Sequence, residues 1–454
     1  MNFISLQLQA LQKLLESPMA LVGAALLLLL PVVMLMFDRF KWAVIALLLF
    51  VSGLGRERTA GFPALIGPLR PLEAMSRFVM GFLLVVLLLP TLRTPSGNWR
   101  KRLWLWGALA FCFYQFVLAT RDLFTAGDEV RAPFEYADYA VMFLVLIVGV
   151  SRWLQSVADA RWALRSMVWM GVLFALATLA QIASGAGYLQ GNRLCAICEN
   201  SNFAGEVIVC ALPATLYFLF RKEEWKLTRI FAAVFAGLLV VFLCWTGSRG
   251  ALLMSFVAVA FMFRQRMGRA VLAAVVVGLI AYGGIVLLGA ESTTVDRLTS
   301  GIDTRTWVWS RMWSDFVSSP IIGVGQASVQ GSENSYLLTA TRAGIVGVIP
   351  LLISLIMVLI ALFKLHRRRA LLGDDQLLLD TATGGVIATL VGGMFDGFLT
   401  ANFSIMIFCL FINLSILAFI SDGLNVFSSA EPALDDPLKP AYDGTYTSDV
   451  TLVN

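Results

Sequence analysis

Charged residues and histidine are scarce in this sequence. Of its 454 residues only 14% are charged, and His366 is the single histidine. Soluble domains carry about a quarter charged residues and are about half apolar, whereas 59% of this chain is hydrophobic and its mean hydropathy is +0.82. A soluble fold cannot bury that much apolar surface, so the composition predicts a membrane protein.

Motifs of several enzyme classes are also absent. The sequence has no Walker A motif, no G-x-S-x-G motif and no Rossmann fingerprint. A zinc site needs about four ligands, but Cys195 and Cys198 are the only two cysteines outside apolar runs. We therefore predict no metal and no cofactor. These two cysteines could form a disulfide in an oxidising compartment or remain free thiols.

Long apolar runs fill most of the chain. A run of about 20 apolar residues crosses a bilayer as a helix, and the runs here predict about 12 or 13 spans. The runs lie at 19–37, 78–92, 103–120, 137–154, 162–184, 203–220, 228–246, 250–263, 270–289, 344–364, 377–398 and 401–420, with a shorter one near 41–54. The predicted fold is an all-α polytopic membrane protein with one transmembrane domain at 1–421. Residues 422–454 are polar and predict a poorly ordered cytoplasmic tail.

The charges of the loops predict an orientation. Cytoplasmic loops are enriched in Lys and Arg, and the basic loops alternate with acidic or balanced ones. The basic clusters, predicted to be inside, lie within 100–102, 152–165, 221–226, 264–269 and 364–369. The longest predicted outer loop is at about 290–343. The net charge of +5 thus reports orientation in the membrane and does not indicate nucleic-acid binding.

Four arginines nevertheless fall on the predicted outer side, where arginine is scarce. They are Arg193, Arg249, Arg305 and Arg311. Each could be an ordinary loop charge with a local carboxylate partner, but Arg249 fits that interpretation less well. It lies in TGSRG (246–250), which joins two apolar runs with almost no linker, so its charge is costly unless it meets a partner or a wet cavity. Because the arginine fork matches phosphate, Arg249 is a candidate clamp for a lipid diphosphate.

The stretch 304–316 is predicted to be a short helix on the outer membrane interface, where Trp is enriched. Its apolar positions have the i, i+3, i+4, i+7 spacing of one helix face; they are Trp309, Met312, Trp313 and Phe316. The helix is predicted to end at Pro320, and the glycines of IIGVGQ (321–326) supply a tight turn. A packed interfacial helix without chemistry explains the tryptophans, but it explains Arg305 and Arg311 less easily.

Two acidic residues, Glu206 and Asp396, fall within predicted spans. Ionisable residues inside a membrane are functional candidates by default, and proton-coupled transport uses groups of this kind. Both lie close to a span end, so simple contact with water is the alternative interpretation.

Four motifs follow one another between residues 191 and 347. They are GNR...NSNFAGEVIVCALP (191–213), TGSRGA (246–251), R-x-x-x-W-x-x-x-W-x-x-F-x-x-x-P-x-x-G-x-G (305–325) and ENSYLLTATRAGIVG (333–347). In order and spacing they resemble the O-antigen ligase and polysaccharide polymerase superfamily, which comprises the Wzy-type polymerases and the WaaL-type ligases. The resemblance covers about 190–365 in detail and the remaining chain by hydropathy.

The resemblance implies a GT-C-like, metal-independent glycosyltransferase of the bacterial inner membrane, whose active site faces the periplasm. Its substrate would be a sugar chain on undecaprenyl diphosphate in the lipid bilayer, and a chain-length regulator could be a further partner. Arg249 matches the serine-arginine-glycine motif of the family, and Arg305 matches the arginine that opens the loop helix. Asn334 and Tyr336 match the asparagine and the aromatic residue of the H-N-x-aromatic motif. Glu333 replaces the histidine typical of ligases, which favours a polymerase.

We therefore predict a polymerase that joins lipid-linked repeat units by inverting transfer, with Glu333, Arg249 and Arg305 as catalytic residues. Arg249 and Arg305 would hold the diphosphate, and Glu333 would orient or deprotonate the attacking hydroxyl. The predicted substrate-binding residues are Arg193, Asn202, Arg311, Asn334 and Tyr336. The alternatives are a ligase that transfers glycan to lipid A core or protein, a transporter of lipid-linked glycan, and a non-catalytic assembly partner.

Overall fold

The computed structural model describes most of the helical body of the chain. The described residues are 39–54, 69–93, 110–121 without 112, 139–185, 188–198 without 191, 200–264, 305–325, 333–400 and 404–429, with single positions at 29, 33, 37 and 65. The predicted span at 270–289, nearly all of the span at 19–37, the first part of the span at 103–120, and the tail beyond 429 lie outside these residues.

Nearly all of the described chain is helical, as the sequence predicts. The helices are α1 (Phe40–Gly53), α2 (Leu69–Ala74), α3 (Ser76–Arg93), α4 (Tyr139–Trp153), α5 (Val157–Ala183), α6 (Ser201–Phe220), α7 (Lys226–Thr246), α8 (Arg249–Phe263), α9 (Thr306–Ser318), α10 (Ser335–Arg367), α11 (Gln376–Gly392) and α12 (Ile405–Ser429). Helix α4 contains a π-helical stretch at Phe143–Gly149, and 3-10 helices cover Arg369–Asp375 and Phe398–Thr400. One short antiparallel hairpin pairs β1 (Leu189–Gln190) with β2 (Arg193–Leu194).

Six helices in the described part of the chain are long and apolar enough to cross a membrane. They are α3, α5, α6, α7, α10 and the Ile405–Asp422 part of α12, and α1, α4 and α8 are shorter apolar helices. The all-α, polytopic character of the protein is therefore confirmed. The count of about 12 or 13 spans stays a prediction.

Helices α6, α8 and α11 form the centre of the fold. Helix α8 packs along α11, and α6 packs against α5, α7 and α8. Small residues permit close contact: a Cβ at Gly205 would lie 2.5 Å from the Cβ of Ala251, and a Cβ at Gly384 would lie 2.6 Å from the carbonyl oxygen of Ala258. Membrane helices associate through such small-residue contacts, because lipid provides no hydrophobic force between them.

Several helix ends meet at one end of this bundle, which we call the mouth. Helices α6, α8 and α10 begin there, after the capping residues Asn200, Ser248 and Asn334. Each of these side chains accepts hydrogen bonds from backbone N–H groups of the first turn, which otherwise lack partners. Helix α7 ends at the mouth because only Gly247 and Ser248 separate it from α8. Helix α11 also ends there, with the turn 393–397 beside the start of α8.

Helix α10 has a kink at Gly344, whose φ of 60° and ψ of −158° are not helical. The segment 320–325 passes across α10 at this kink and makes four backbone hydrogen bonds with residues 341–346. Two of them are donated by Val324 to Thr341 at 2.8 Å and by Ile345 to Pro320 at 2.9 Å. The predicted span began at 344, whereas the helix already begins at Ser335.

A buried charge cluster lies at the end of the bundle opposite the mouth. The Asp380 carboxylate is 2% exposed and accepts hydrogen bonds from Arg369, while Arg264 Nη2 lies 3.2 Å from Asp380 Oδ1. His366 connects this cluster to Thr383, because its Nδ1 lies 2.7 Å from Arg264 Nη2 and its Nε2 lies 3.0 Å from the Thr383 hydroxyl. The cluster therefore ties together α8, α10 and α11.

We expect Asp380→Ala to destabilise the protein by about 3–5 kcal/mol, because two arginines would lose a buried partner. Thermal unfolding of the purified protein in detergent measures this effect. Asp374→Ala is the matched control, since Asp374 is exposed and close to the same cluster, and its effect should stay within about 0.5 kcal/mol. Equal unfolding temperatures for the two variants would contradict a structural role for the cluster.

The structure differs from the sequence prediction at two helix ends. It also decides between a disulfide and free thiols for Cys195 and Cys198. The run 377–398 predicted one continuous span, but α11 ends at Gly392, which places Asp396 in a turn. Helix α12 continues to Ser429, past the predicted start of the tail at 422. The described cysteines, including Cys195 and Cys198, form no disulfide.

Candidate functional site

Arg305 and Glu333 form an ion pair at the mouth. Arg305 directly precedes α9, and Glu333 directly precedes the capping residue of α10. Arg305 Nε lies 3.4 Å from Glu333 Oε2, and the two side chains are 24% and 41% exposed. A pair this exposed contributes only about 0–1 kcal/mol to stability. Its main effect is to bring a cation and a carboxylate from two loop segments to one place.

Phe395 connects this ion pair to the start of α8. The guanidinium carbon of Arg305 lies 5.5 Å from the centre of the Phe395 ring, within the range of a cation–π interaction. On the other side, a Cβ at Gly250 would lie 3.4 Å from the Cβ of Phe395. The first turn of α8 and the ion pair thus border the same aromatic side chain.

Arg249 is the first residue of α8 and its side chain is exposed. Gly247 ends α7 in a left-handed conformation with φ 57°, and Ser248 caps α8, so the turn is as short as the sequence predicts. The start of a helix favours anions, because its free N–H groups and its dipole both present positive charge. Arg249 therefore adds a full charge at an end of the helix that already favours a phosphate.

Arg193 and Asn202 also meet beside this turn, as members of one hydrogen-bonded group. Arg193 Nη2 donates to Asn202 Oδ1 at 3.2 Å, and Arg193 Nε donates to the Thr246 carbonyl at 2.8 Å. The second bond satisfies a carbonyl at the end of α7, where a cation is stabilising. Both predicted residues thus lie at the mouth, and their contacts here hold the α7–α8 turn in position.

Asn334 and Tyr336 hold the base of the site. Asn334 Oδ1 accepts hydrogen bonds from the N–H groups of Tyr336 and Leu337 at 3.0 and 2.9 Å, and the Tyr336 hydroxyl donates to the Leu390 carbonyl at 2.6 Å. Ser335 lies between them and donates its hydroxyl to the Asp396 carbonyl at 2.5 Å. The start of α10 is thereby fixed against the end of α11.

Arg311 is separated from the ion pair. It lies on an exposed face of α9 and has no hydrogen bond or ion pair with the described residues of the mouth. Within the predicted interfacial helix, Met312 is buried together with Val308, whereas Trp313 is 58% exposed. Val308 and Met312 pack against Leu338 of α10, which turns Arg311 outwards.

Glu206 and Asp396 form a carboxyl pair at the mouth. Glu206 lies in the second turn of α6 and is 1% exposed. Asp396 is half-buried, and it interacts electrostatically with Glu206, Arg305 and Glu333. The sequence identified both residues as candidates because they fall within apolar runs. It gave no indication that they interact with each other.

The environment of Asp396 changes its acidity. Burial raises the pKa of the Asp396 carboxyl to about 6, and the negative charge of Glu333 acts in the same direction. The Gly397 N–H, which donates to Asp396 Oδ1 at 2.8 Å, and the positive charge of Arg305 lower the pKa and so oppose this effect. Asp396 thus titrates close to neutral pH, which is the range in which a carboxyl can act as a general base.

We use the name mouth site for six residues that these contacts bring together. They are Glu206, Arg249, Arg305, Glu333, Phe395 and Asp396. The set combines two arginines, a helix start, an aromatic ring and three carboxyl groups. Such a set can bind a diphosphate, stabilise a leaving anion and accept a proton.

Comparison with known proteins gives no family for this chain. No family model matches the sequence, and no curated protein matches it. The function therefore has to be argued from the mouth site.

Proposed function

We propose that this protein is a glycosyltransferase that lengthens lipid-linked sugar chains, and that the mouth site is its active site. In this proposal the donor is a glycan on undecaprenyl diphosphate, and the acceptor is a hydroxyl of another lipid-linked repeat unit. The mouth faces the periplasm of a bacterial inner membrane, and the fold is of the GT-C type. The motif resemblance to O-antigen polymerases and ligases supports this function.

The observation that carries the proposal is that the Arg305–Glu333 ion pair and the first turn of α8, which carries Arg249, lie against the same side chain, Phe395. The two arginines and Glu333 come from three separate segments, and the packing of α8, α10 and α11 brings them together. The planar donor fork of arginine matches the geometry of a phosphate group. A diphosphate at the end of a lipid reaches the membrane boundary, and two arginines with a helix start match its charge.

The reaction requires three events. A sugar hydroxyl attacks the anomeric carbon of the donor, the bond from that carbon to the diphosphate oxygen breaks, and the hydroxyl loses its proton. Arg249 and Arg305 stabilise the charge that develops on the diphosphate, and they require no reorganisation because they are already in place. Glu333 keeps Arg305 oriented and borders the space where the acceptor hydroxyl binds.

Within this class, Glu333 favours polymerase over ligase activity. Ligases of the resembling superfamily typically carry histidine at the corresponding position, and His366, the single histidine of this chain, lies at the other end of α10. A ligase that uses lipid A core or protein as its acceptor is the alternative.

A second candidate function is proton-coupled transport of a lipid-linked anionic glycan. The observation that favours it is the Glu206–Asp396 carboxyl pair, because buried carboxyl groups bind and release protons in many transporters. Transport would leave the number of sugars in each chain unchanged. Product length therefore separates the two functions.

The test uses purified protein with undecaprenyl-diphosphate repeat units from its own host, and a glycan gel displays the products. The wild type is expected to give a ladder of longer lipid-linked chains. Arg249→Ala and Glu333→Ala are each expected to lower the rate about 100-fold, because each removes a group that acts in the transition state. Arg367→Ala is the matched control, since Arg367 is exposed at the opposite end of α10.

The outcomes are distinct. A single addition to lipid A core instead of a ladder would indicate a ligase. No product with either acceptor, together with movement of the lipid-linked glycan across proteoliposomes, would replace the proposal with transport. A full ladder from both site variants would show that the mouth site is not the active site.

A further inference from the structure

The proposed function leaves open which group accepts the proton of the attacking hydroxyl. Glu333 is the first candidate by position, but its Oε2 lies 3.4 Å from Arg305 Nε and its charge balances that arginine. In the proposed function this contact keeps Arg305 oriented toward the diphosphate, so Glu333 already has a positioning role. A second carboxyl within the same site is better suited.

Asp396 has the properties that a proton acceptor needs. Ser335 holds its backbone through a hydrogen bond of 2.5 Å to the Asp396 carbonyl, and the Gly397 N–H holds Oδ1 at 2.8 Å. These contacts fix the carboxyl in the turn after α11, beside Arg305 and Phe395. Asp396 is half-buried and not fully enclosed, so a substrate hydroxyl at the mouth can reach it.

Glu206 explains how Asp396 can stay ionised and act as a base. Glu206 is 1% exposed and lies beside the negative charge of Asp396, so an ionised Glu206 would be costly and it keeps its proton. The neighbouring acidic group on a different element is Asp396. A protonated carboxyl donates a hydrogen bond, and a donor beside Asp396 stabilises the ionised form of that residue.

We propose that Asp396 is the proton acceptor of the glycosyl transfer and that Glu206 is a positioning residue that keeps Asp396 ionised. This inference rests on the proposed function. The hydroxyl oxygen forms the new bond to the anomeric carbon, and the electron pair of the broken bond leaves with undecaprenyl diphosphate. The hydroxyl proton passes to the Asp396 carboxylate, which later releases it to water.

Within the described residues, charged and titratable groups near the pair come from several elements. They are Cys210 beside Glu206 on α6, Arg249 at the start of α8, Arg305 before α9, and Glu333 and Tyr336 at the start of α10. Among them, Arg305 and Glu333 act on Asp396 in opposite directions. Burial is the largest influence on the basicity of Asp396, the Gly397 N–H opposes it, and Glu206 adds a smaller contribution that favours the ionised form.

The test is the pH dependence of the ladder-forming rate for the wild type and four variants. The wild-type rate is expected to rise with pH and to level off above an apparent pKa of about 6, because Asp396 must lose its proton to act. Asp396→Asn is expected to lower the rate by at least about 100-fold and to remove this rise. Glu206→Gln keeps a donor and should keep the profile, whereas Glu206→Leu should move the rise to higher pH by about one unit. Asp315→Asn serves as a control, because Asp315 lies on α9 outside the mouth site.

The result separates this inference from the function on which it rests. If the wild type forms no longer chains, the proposed function itself fails. If the wild type is active and Asp396→Asn keeps either its rate or the same acid rise, Asp396 is not the proton acceptor and the polymerase proposal stands. An unchanged profile in Glu206→Leu overturns the role of Glu206, and Glu206→Gln supplies the comparison if the leucine variant does not fold.

Discussion

Arg305→Ala is expected to lower kcat by about 100-fold to 1,000-fold while the unfolding temperature changes little. The rate falls because the guanidinium would stabilise negative charge on the departing diphosphate. The stability stays nearly constant because the Arg305–Glu333 pair is partly exposed, and such a pair contributes about 0–1 kcal/mol. Rates of chain lengthening and thermal unfolding of the same preparations measure both quantities.

Two further variants show what the arginine contributes. Arg305→Lys keeps the charge but loses the planar fork, so it should recover only part of the lost rate. Arg311→Ala removes another arginine of α9, one that the structure places on an exposed face, and its effect should be below about tenfold. Equal losses for the alanine variants at 305 and 311 would show that net charge, and not the mouth site, determines activity.

The interaction between Arg305 and Glu333 can be measured directly. If the two residues act as one unit, the double variant Arg305→Ala/Glu333→Ala loses little more activity than either single variant. If their losses multiply, each residue acts independently, and the contact of 3.4 Å between them has no catalytic meaning. Arg367→Ala again serves as the control for removal of an arginine from this protein.

The fold could be predicted from the sequence where hydrophobicity alone determined the structure. Helices α5, α6 and α7 match the apolar runs closely, because a continuous apolar segment is stable in a bilayer only as a helix. The start of α10 was not predictable from hydropathy, because its first turns include Thr339 and Arg342. These polar groups are satisfied by distant residues: Tyr114 lies 2.6 Å from the Thr339 hydroxyl, and Arg342 donates to the Thr400 carbonyl.

The arginines of the site could be predicted from the sequence. The pairing of Glu206 with Asp396 could not. Arginine on the predicted outer side is a local signal, and Arg305 and the first turn of α8, which carries Arg249, do border the same aromatic side chain. The pairing of Glu206 with Asp396 depends on how α6 packs against α11 and on where α11 ends. The sequence placed Asp396 inside a span, whereas the end of α11 at Gly392 places it in a turn. Neither the packing nor this helix end has a local signal in the sequence.

Gly344→Ala is the second variant for which we expect a large effect. An added Cβ would lie 2.3 Å from the carbonyl oxygen of Ile321 and 2.6 Å from the nitrogen of Ile322. Both are backbone atoms, so no side chain can move aside to make room. The φ of 60° and ψ of −158° at this position also belong to a region that essentially only glycine adopts. Segment 320–325 must therefore separate from α10.

This separation should reduce both stability and activity. The four backbone hydrogen bonds between 320–325 and 341–346 would weaken, and we expect a loss of at least about 3 kcal/mol. Because segment 320–325 follows α9 directly, α9 would no longer be fixed to α10, and Arg305 would lose its position beside Glu333. Trypsin cleavage within 305–342 should become faster as the segment opens.

Gly373→Ala is the matched control for Gly344→Ala, because it separates backbone strain from the lost contact. Gly373 also has a positive φ, of 50°, but no atom lies within 4 Å of an added Cβ, and it is at the end of the bundle away from the mouth. Strain alone should cost about 1–3 kcal/mol there and leave chain lengthening unchanged. If Gly344→Ala lowers the unfolding temperature no further than Gly373→Ala and keeps the wild-type rate, then the crossing of 320–325 over α10 does not hold the mouth site together.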